Sequence, residues 1–515
     1  MGAVNILRGL KFFSFLKPFC IPEPPGVKCY LWPSPEFTMT EVLTREKISQ
    51  EQHDEGRQGE AFAYDIGIIE RESRRRRFYI ETYGCAMNFS DSEIVASVLI
   101  KNGFFPTHNY ADADLLLINT CSIRENAEQK IRKRLLEFRS VKKLNPDALI
   151  GVLGCMAERL KSKFLEEEKM VDLVVGPDAY RDLPKLVRLA GEGQKAVNVL
   201  LSREETYADI NPVRLNSNGV AAFISIMRGC NNMCSFCVVP FTRGRERSRD
   251  PLSITAEANQ LFNQGYREVT LLGQNVDSYY WEQRATGESI NFAQLLKQLA
   301  GIHQKLRVRF STSHPKDITD EVLQVMANHK NICKHIHLPV QSGSSSVLGR
   351  MNRTYDREWY RAKIDRIHDL VPDCSISTDI ITGFCGETED DHRQTLSMMD
   401  YVRYSLAFTF KYSERPGTLA AKKLPDDVPE AMKSRRLNEI VELQHKHQYE
   451  KNAAELGKEY EVLVEGTSKK SKEKLFGRNS QNSVVVFPKK NFQKGDYTTV
   501  KIIDFTSATL IGDVP

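Results

Sequence analysis

From residue 78 onward the chain alternates short apolar runs with longer stretches of helical periodicity. Phe78-Tyr79-Ile80-Glu81-Thr82 reads as a strand. Ser90 to Lys101 carries an apolar stripe at helical spacing and stops at Asn102-Gly103, a helix-ending pair. Leu115 to Asn119 is a strand of the fully buried type, and about Ala127 to Lys142 is again helix-like. Ala148 to Leu153 is a third strand and Asp172 to Val175 a fourth. Strands and helices in this alternation predict an open α/β domain with a parallel sheet.

Residues 192–218 read as a connector, broken by Asn211-Pro212 and by Asn216-Ser217-Asn218-Gly219. A second alternating series follows. Its candidate strands are Ala221–Met227, Glu268–Leu272, Leu306–Ser311, Lys334–Leu338, Ser375–Ile381 and Leu406–Lys411. Helical stretches separate them, at Leu252–Gln264, Phe292–Leu299, Thr319–Asn328, Asp356–Leu370 and Glu389–Val402. Six βα units predict a central partial TIM-type (βα)6 barrel. Residues 427–456 read as a long charged helix leading away. Short alternating strands then follow at Tyr460–Val464, Leu475–Gly477, Ser483–Phe487, Tyr497–Phe505 and Thr509–Asp513, which suits a small OB-like β-barrel. The expected organisation is a disordered leader (1–77), an N-terminal sheet domain (78–200), the barrel (216–448) and a terminal module (449–513).

With 515 residues, two to four domains are expected, and 41% hydrophobic content is enough for sizeable cores. The net charge is only +5, so any nucleic-acid surface must be local. No apolar run reaches the roughly 20 residues of a membrane span. Lys11 to Leu16 is a short apolar stretch with basic flanks, cut by Pro18 and lacking a cleavage site, so it is a poor targeting signal. Met39 is an alternative start, and the leader ends in Arg74-Arg75-Arg76-Arg77. The 11 cysteines, an odd number without a secretory signal, favour metal binding or catalysis over disulfides.

The cysteines fall into a pattern. Cys230, Cys234 and Cys237 stand at CxxxCxxC spacing in the loop after the first barrel strand. A structural zinc site closes with four ligands, and a cubane iron–sulfur cluster usually takes four thiolates, so three leave one metal position open. Cys85, Cys121 and Cys155 each sit just past a different strand of the first domain, at the edge where parallel sheets bind ligands. They make a second three-thiolate site, unless all three are core residues. Loops after the other barrel strands are polar or glycine-rich, including Gly273-Gln274-Asn275, Thr312-Ser313-His314-Pro315, Pro339 to Ser344 and Thr382 to Glu387, as a rim lining a polar ligand would be. In the terminal module, Lys469, Lys470, Lys472, Lys474 and Arg478 suit either a solvated loop or a nucleic-acid grip.

The CxxxCxxC loop on a barrel, with Phe236 before its last cysteine and a second triad upstream, resembles the radical S-adenosylmethionine (SAM) methylthiotransferase family over residues 78 to 513. The resemblance implies a terminal TRAM domain and two [4Fe-4S] clusters. Cys230, Cys234 and Cys237 would hold the one that binds and cleaves SAM. Cys85, Cys121 and Cys155 would hold an auxiliary one carrying the sulfur to be delivered. Residues Cys237 to Arg249, Gly154 to Arg159 and His337 to Ser344 are similar to the branch that modifies isopentenyladenosine beside the tRNA anticodon. The family's SAM contacts map to Phe236 near the adenine, to Gly273, Gln274 and Asn275 at the methionyl amine, and to Gln341 and Asp379. The usual glycine-glycine-glutamate form is absent, and each polar residue could instead serve the barrel rim structurally. The Arg243 to Arg249 run would suit SAM, substrate or phosphate, or be a solvated loop. Cys385 stands where family members often have proline, and it is read with Cys333 and Cys374 as core. Cys20 and Cys29 have no assignment.

Taken together these readings imply a cytoplasmic, monomeric tRNA-modifying enzyme with no membrane association. Its partners would be SAM, a tRNA anticodon stem-loop carrying isopentenyladenosine, an electron donor such as flavodoxin or ferredoxin, and a sulfur donor. Alternatives are methylthiolation of threonylcarbamoyladenosine in tRNA, of a ribosomal-protein aspartate, or a non-catalytic metal-containing RNA-binding protein.

Overall fold

The computed structural model describes residues 76–121, 125–215, 217–283 and 285–514. Met39, Cys20, Cys29 and most of the expected leader lie outside the described residues. Among those described, no helix is long and apolar enough to cross a membrane.

The first domain is a six-stranded parallel sheet. Its strands are β1 (Arg77–Thr82), β2 (Phe105–Pro106), β3 (Leu115–Thr120), β4 (Leu149–Gly154), β5 (Leu173–Val175) and β6 (Ala196–Asn198), in the order β2-β1-β3-β4-β5-β6. β3 and β4 are buried along their whole length, as expected of strands covered by helices on both faces. One face packs under the helices Ala86–Lys101 and Leu183–Gly191, the other under Glu125–Leu144. β2 and β6 were not legible in the sequence: two and three residues are too few to show a period. The expected connector is also no loose linker. It contains β6, and its Tyr207, Ile210 and Leu215 are buried in the core of this domain.

The barrel is two three-stranded parallel sheets joined edge to edge. The first has the order β13-β10-β7 and the second β14-β15-β16, with β7 (Ala221–Ser225), β10 (Glu268–Leu272), β13 (Arg307–Phe310), β14 (His335–His337), β15 (Ser375–Thr382) and β16 (Leu406–Lys411). A parallel bridge between Val308 and Ile332 closes the seam. Two additions escaped the sequence reading. One is a two-residue pair, β8 (Met227–Arg228) with β9 (Arg247–Ser248), and the other is the exposed hairpin β11 (Tyr280–Gln283) and β12 (Glu288–Asn291). Helix starts follow their capping residues: the Asp250 carboxylate accepts from Leu252 and Ser253 before Pro251 opens a helix, and Thr388 forms a capping box with Asp391.

The charged helix spans Glu430–Ala453, past residue 448 where the sequence reading ended the barrel. It does not lead away. Arg436 pairs with Glu387 at 2.9 Å, His447 with Asp400 at 2.9 Å, and Gln444 Nε2 donates to the Tyr404 carbonyl. Its charges are spent on the barrel, so the stripe that docks it is polar rather than apolar.

The terminal module is a closed five-stranded barrel, β17 (Glu459–Thr467), β18 (Lys474–Arg478), β19 (Val484–Pro488), β20 (Tyr497–Phe505) and β21 (Leu510–Asp513), in the order β17-β18-β19-β21-β20. It docks on the amino ends of the central barrel's strands. Tyr497 Oη donates to the carbonyls of Arg267 and Lys305, Arg307 Nη1 to the Arg478 carbonyl, and the Lys334 N–H to Ser480 Oγ.

Candidate active site

The first cysteine triad is built by three neighbouring strands, β1, β3 and β4, each ending just before its cysteine. Glycine makes the approach possible. A Cβ on Gly84 would lie 2.7 Å from Cβ of Cys121, and Gly154 has φ +89° with the Asn119 side-chain oxygen 2.4 Å from where its Cβ would be. Cys85, Cys121 and Cys155 are all buried and unoxidised. Cys85 Sγ donates to Asn88 Oδ1 at 3.0 Å, and Asn88 Nδ2 bonds Asn119 Oδ1 and the Thr120 carbonyl, which fixes the turns relative to one another. Burial pushes the Cys85 thiol far up, and Cys121 and Cys155 beside it push further, against the pull of Arg243. Such thiols give up their protons to metal rather than to water.

The second triad lies in the loop after β8. Cys230 N–H donates to the Gly244 carbonyl, Cys237 N–H to the Cys234 carbonyl, and Ser235 N–H to the Met351 carbonyl. Two backbone N–H groups point at sulfur, Asn232 at Cys230 and Val239 at Cys237, both at 3.4 Å. Arg353 Nη1 donates to Cys234 Sγ at 3.2 Å. Burial, with Cys234 beside it, pushes the Cys237 thiol up to about 12. Among the described residues no three His, Cys, Asp or Glu side chains converge on a single metal-ion position. Thiolates around one zinc would sit about 3.8 Å apart, given a Zn–S bond near 2.3 Å.

The two triads meet through arginine. The helix Val239–Arg243 follows Cys237 directly and packs against the helix Cys155–Leu160. Arg243 is fully buried, and its Nε donates to Cys155 Sγ at 2.8 Å. Its Nη2 lies 3.1 Å from Asp91, which also takes Arg228 at 2.8 Å, while Arg247 pairs with Asp178 at 3.2 Å. Arg249 bonds Glu257 and Ser253. The arginine run is therefore not a solvated loop, and Arg243, Arg247 and Arg249 are committed to protein partners rather than left for SAM or phosphate. Near Cys155 and Arg243, the buried Tyr180 hydroxyl and Arg243 Nη1 have no hydrogen-bond partner among the described residues. Buried donors beside three thiols are what an anionic sulfide cluster would satisfy.

Among the expected SAM contacts, the structure divides the set. Gly273 packs on Met227, leaving no room for a side chain. Gln274 is buried with both amide atoms unpartnered among the described residues, and so is the Ser311 hydroxyl, while the buried Asp277 carboxylate faces the Ser313 hydroxyl. Burial pushes Asp277 up to about 7. This group sits at the carboxyl ends of β10 and β13, aligned with the cysteine rim, and its unused polarity suits a polar ligand. Asn275 is spent: Nδ2 donates to Asp317 at 2.6 Å and Oδ1 accepts from the His314 N–H. Gln341 has φ +67° and bridges Ile380, a strained backbone of the kind held at functional sites. Asp379 lies 3.5 Å from His337 Nε2, and His337 Nδ1 shares Ser377 Oγ with His335. Phe236 stacks edge-on against Phe384 beside Cys237. Cys333, Cys374 and Cys385 are buried core residues.

In the terminal module Lys469, Lys470, Lys472 and Lys474 are exposed. Arg478, whose side chain is 37% exposed, pairs with Glu465 at 2.7 Å where the module docks on the barrel.

Comparison with known proteins decides the family. Residues 77–176 match the Uncharacterized protein family UPF0004, 224–399 the Radical SAM superfamily and 453–514 the TRAM domain. The chain is 62% identical over 449 residues to a tRNA-2-methylthio-N(6)-dimethylallyladenosine synthase of Amoebophilus asiaticus, covering 85% of this chain and 92% of that protein. Proteins of the same name from Christiangramia forsetii (58% identity, 89% and 97% covered) and Bacteroides fragilis (54%, 85% and 95%) also match. The chain belongs to this family. It is a radical SAM enzyme, and membership of that superfamily implies a [4Fe-4S] cluster and SAM. The structure of a radical S-adenosylmethionine methyltransferase, TsrM, from Kitasatospora setae shares the fold at TM-score 0.50 and 14% identity, over 67% of this chain and 77% of that one. Arg353, far from the cysteines along the chain, was missed in the sequence; Arg243 was singled out there for SAM, substrate or phosphate, but its contact with Cys155 in another domain was not legible.

Proposed function

We propose that this chain methylthiolates C2 of N6-isopentenyladenosine next to the tRNA anticodon, giving 2-methylthio-N6-isopentenyladenosine, in the cytoplasm and as a monomer. The reading rests on one observation above all. A buried cysteine triad and a half-buried one, three thiols each, are linked by the segment from Cys237 to Arg243 in a chain whose relatives carry that synthase name. The triads fit two [4Fe-4S] clusters, because each pairs three thiols with hydrogen-bond donors aimed at sulfur. When bound, the barrel cluster supplies the electron that cleaves SAM and the auxiliary one the sulfur, chemistry that no side-chain base could perform on an aromatic C–H. Cys230, Cys234 and Cys237 hold the first and Cys85, Cys121 and Cys155 the second. Phe236, Gly273, Gln274, Gln341 and Asp379 line the SAM side of the barrel, with Asn275 bracing the loop. Lys469, Lys470, Lys472 and Lys474 attract the RNA backbone. A flavodoxin or ferredoxin reduces the clusters, and a separate donor replenishes the sulfur.

Nucleoside mass spectrometry of tRNA from cells with and without the gene tests the substrate. The 2-methylthio mark on isopentenyladenosine disappears without the gene; an unchanged mark refutes the assignment. Iron and zinc analysis of anaerobically purified protein tests the centres, and a colourless chain with two zincs would sink the radical reading.

A further inference from the structure

Arg243 makes an unusual contact. It belongs to the barrel, six residues after Cys237, yet its Nε donates to the sulfur of Cys155 in the other domain at 2.8 Å. It is fully buried, so the bond is not shared with water. Asp91 answers two guanidiniums at once, those of Arg228 and Arg243, while Arg247 pairs with Asp178 across the domain junction. A buried cation is costly unless anionic or polar partners complete it, and the sulfur of Cys155 is the other group that Arg243 reaches. Arg243 Nη1 remains without a hydrogen-bond partner among the described residues on the same guanidinium.

Hydrogen bonds and positive charge at a ligand sulfur stabilise the more negative, reduced form of an iron–sulfur cluster and raise its reduction potential. We propose that Arg243 is a positioning residue that sets the potential of the auxiliary cluster through Cys155 and ties that cluster to the loop of the SAM-cleaving one. The inference rests on the two-cluster reading above. It makes the loop after Cys237 a mechanical and electrostatic link: six residues and one hydrogen bond join a ligand of one centre to a ligand of the other. Any movement of the barrel loop is felt at Cys155.

The test isolates the auxiliary centre. In full-length protein carrying Cys230→Ala, Cys234→Ala and Cys237→Ala, the remaining cluster is titrated potentiometrically and followed by electron paramagnetic resonance. Adding Arg243→Gln should move its midpoint negative, so that at the parent midpoint the ratio of reduced to oxidised cluster falls at least tenfold, about 59 mV for one electron. Arg243→Lys, which keeps the charge but not the planar N–H at sulfur, should move it part of the way and serves if the Gln variant does not fold. Asp91→Asn removes a negative charge from the same network and should not move the midpoint negative. An iron-loaded Arg243→Lys or Arg243→Gln chain with the parent midpoint overturns the inference alone. A negative shift in Asp91→Asn equal to that of Arg243→Gln overturns it too, since loosening of the junction would then explain both. A parent without iron overturns the two-cluster reading itself.

Discussion

Glu268 offers the sharpest test of how the terminal module is held. It is 4% exposed at the amino end of β10, and both its oxygens accept from Arg309, Nε to Oε1 and Nη2 to Oε2, each at 3.1 Å. Arg307 lies 3.8 Å away and reaches across to the Arg478 carbonyl, while Arg309 Nη2 approaches the Asn479 carbonyl at 3.4 Å. Glu268→Gln leaves two buried arginines without their carboxylate. Breaking such a pair costs about 3–5 kcal/mol, because the stranded charge is left desolvated. For a barrel of this size that lowers Tm by roughly 6–20 °C. The double variant Glu268→Met, Arg309→Met should recover much of the loss, since apolar replacement of a buried pair is often neutral. The assay is thermal unfolding with limited proteolysis near residues 453–459, where the docked module joins the long helix. The pH dependence has a definite sign. Burial works against the Glu268 charge, but Arg309 and Arg307 outweigh it and hold its carboxyl below the usual range. Its stabilisation is therefore complete above the unfolded carboxylate value of about 4.3 and is lost as pH falls through the lower folded value. Wild type and Glu268→Gln should converge in Tm only in acid. A Glu268→Gln chain within about 1 kcal/mol of wild type at neutral pH, the range of an exposed pair, would refute the reasoning.

Three further outcomes follow from the site. Gly154→Ala puts a Cβ 2.4 Å from Asn119 Oδ1 at φ +89°, so iron at the first triad should be lost and the chain's total iron fall to about half while SAM cleavage survives; full iron content refutes it. Cys85→Ala should likewise keep SAM cleavage and lose methylthiolation; loss of both would undo the division of labour. Reversing Lys469, Lys470 and Lys472 to Glu should weaken tRNA binding and flatten the slope of log affinity against log salt by about 0.9 for each lost duplex phosphate contact, with SAM cleavage in the absence of RNA unchanged; an unaltered slope removes this loop from the RNA surface.

What could be read from the chain was what repeats locally. Buried strands such as Leu115–Thr120 announce themselves by unbroken apolar runs, and a cysteine after a glycine at a strand end is placed by topology alone. What could not be read were pairings between charges far apart in sequence. Arg243 meets Cys155 across 88 residues and Arg228 meets Asp91 across 137. No periodicity encodes such a choice, so the arginine run looked available for ligand when its charge was already spent. The helix Glu430–Ala453 misled for the same reason: its polar stripe resembles a solvated face until Glu387 and Asp400 are seen opposite it. Asn275 and Arg478 followed suit, each polar in sequence and each consumed by a structural partner.

The same spending of charge separates what the molecule holds fixed from what it leaves open. At the amino ends of the barrel strands, Arg307, Arg309 and Glu268 are matched to the terminal module, and that end of the barrel is closed by it. At the carboxyl ends, Gln274 and Ser311 are buried without hydrogen-bond partners for their side chains among the described residues. A fold tolerates unmet buried polarity only where something else meets it. On the function proposed above, that rim is the SAM side of the barrel, at the opposite end from the module. On the same reading, an RNA gripped by Lys469 to Lys474 would have to run along the flank of the barrel to present a base at the cysteines, so the module would orient the substrate at a distance and leave the chemistry to the junction where Arg243 reaches Cys155.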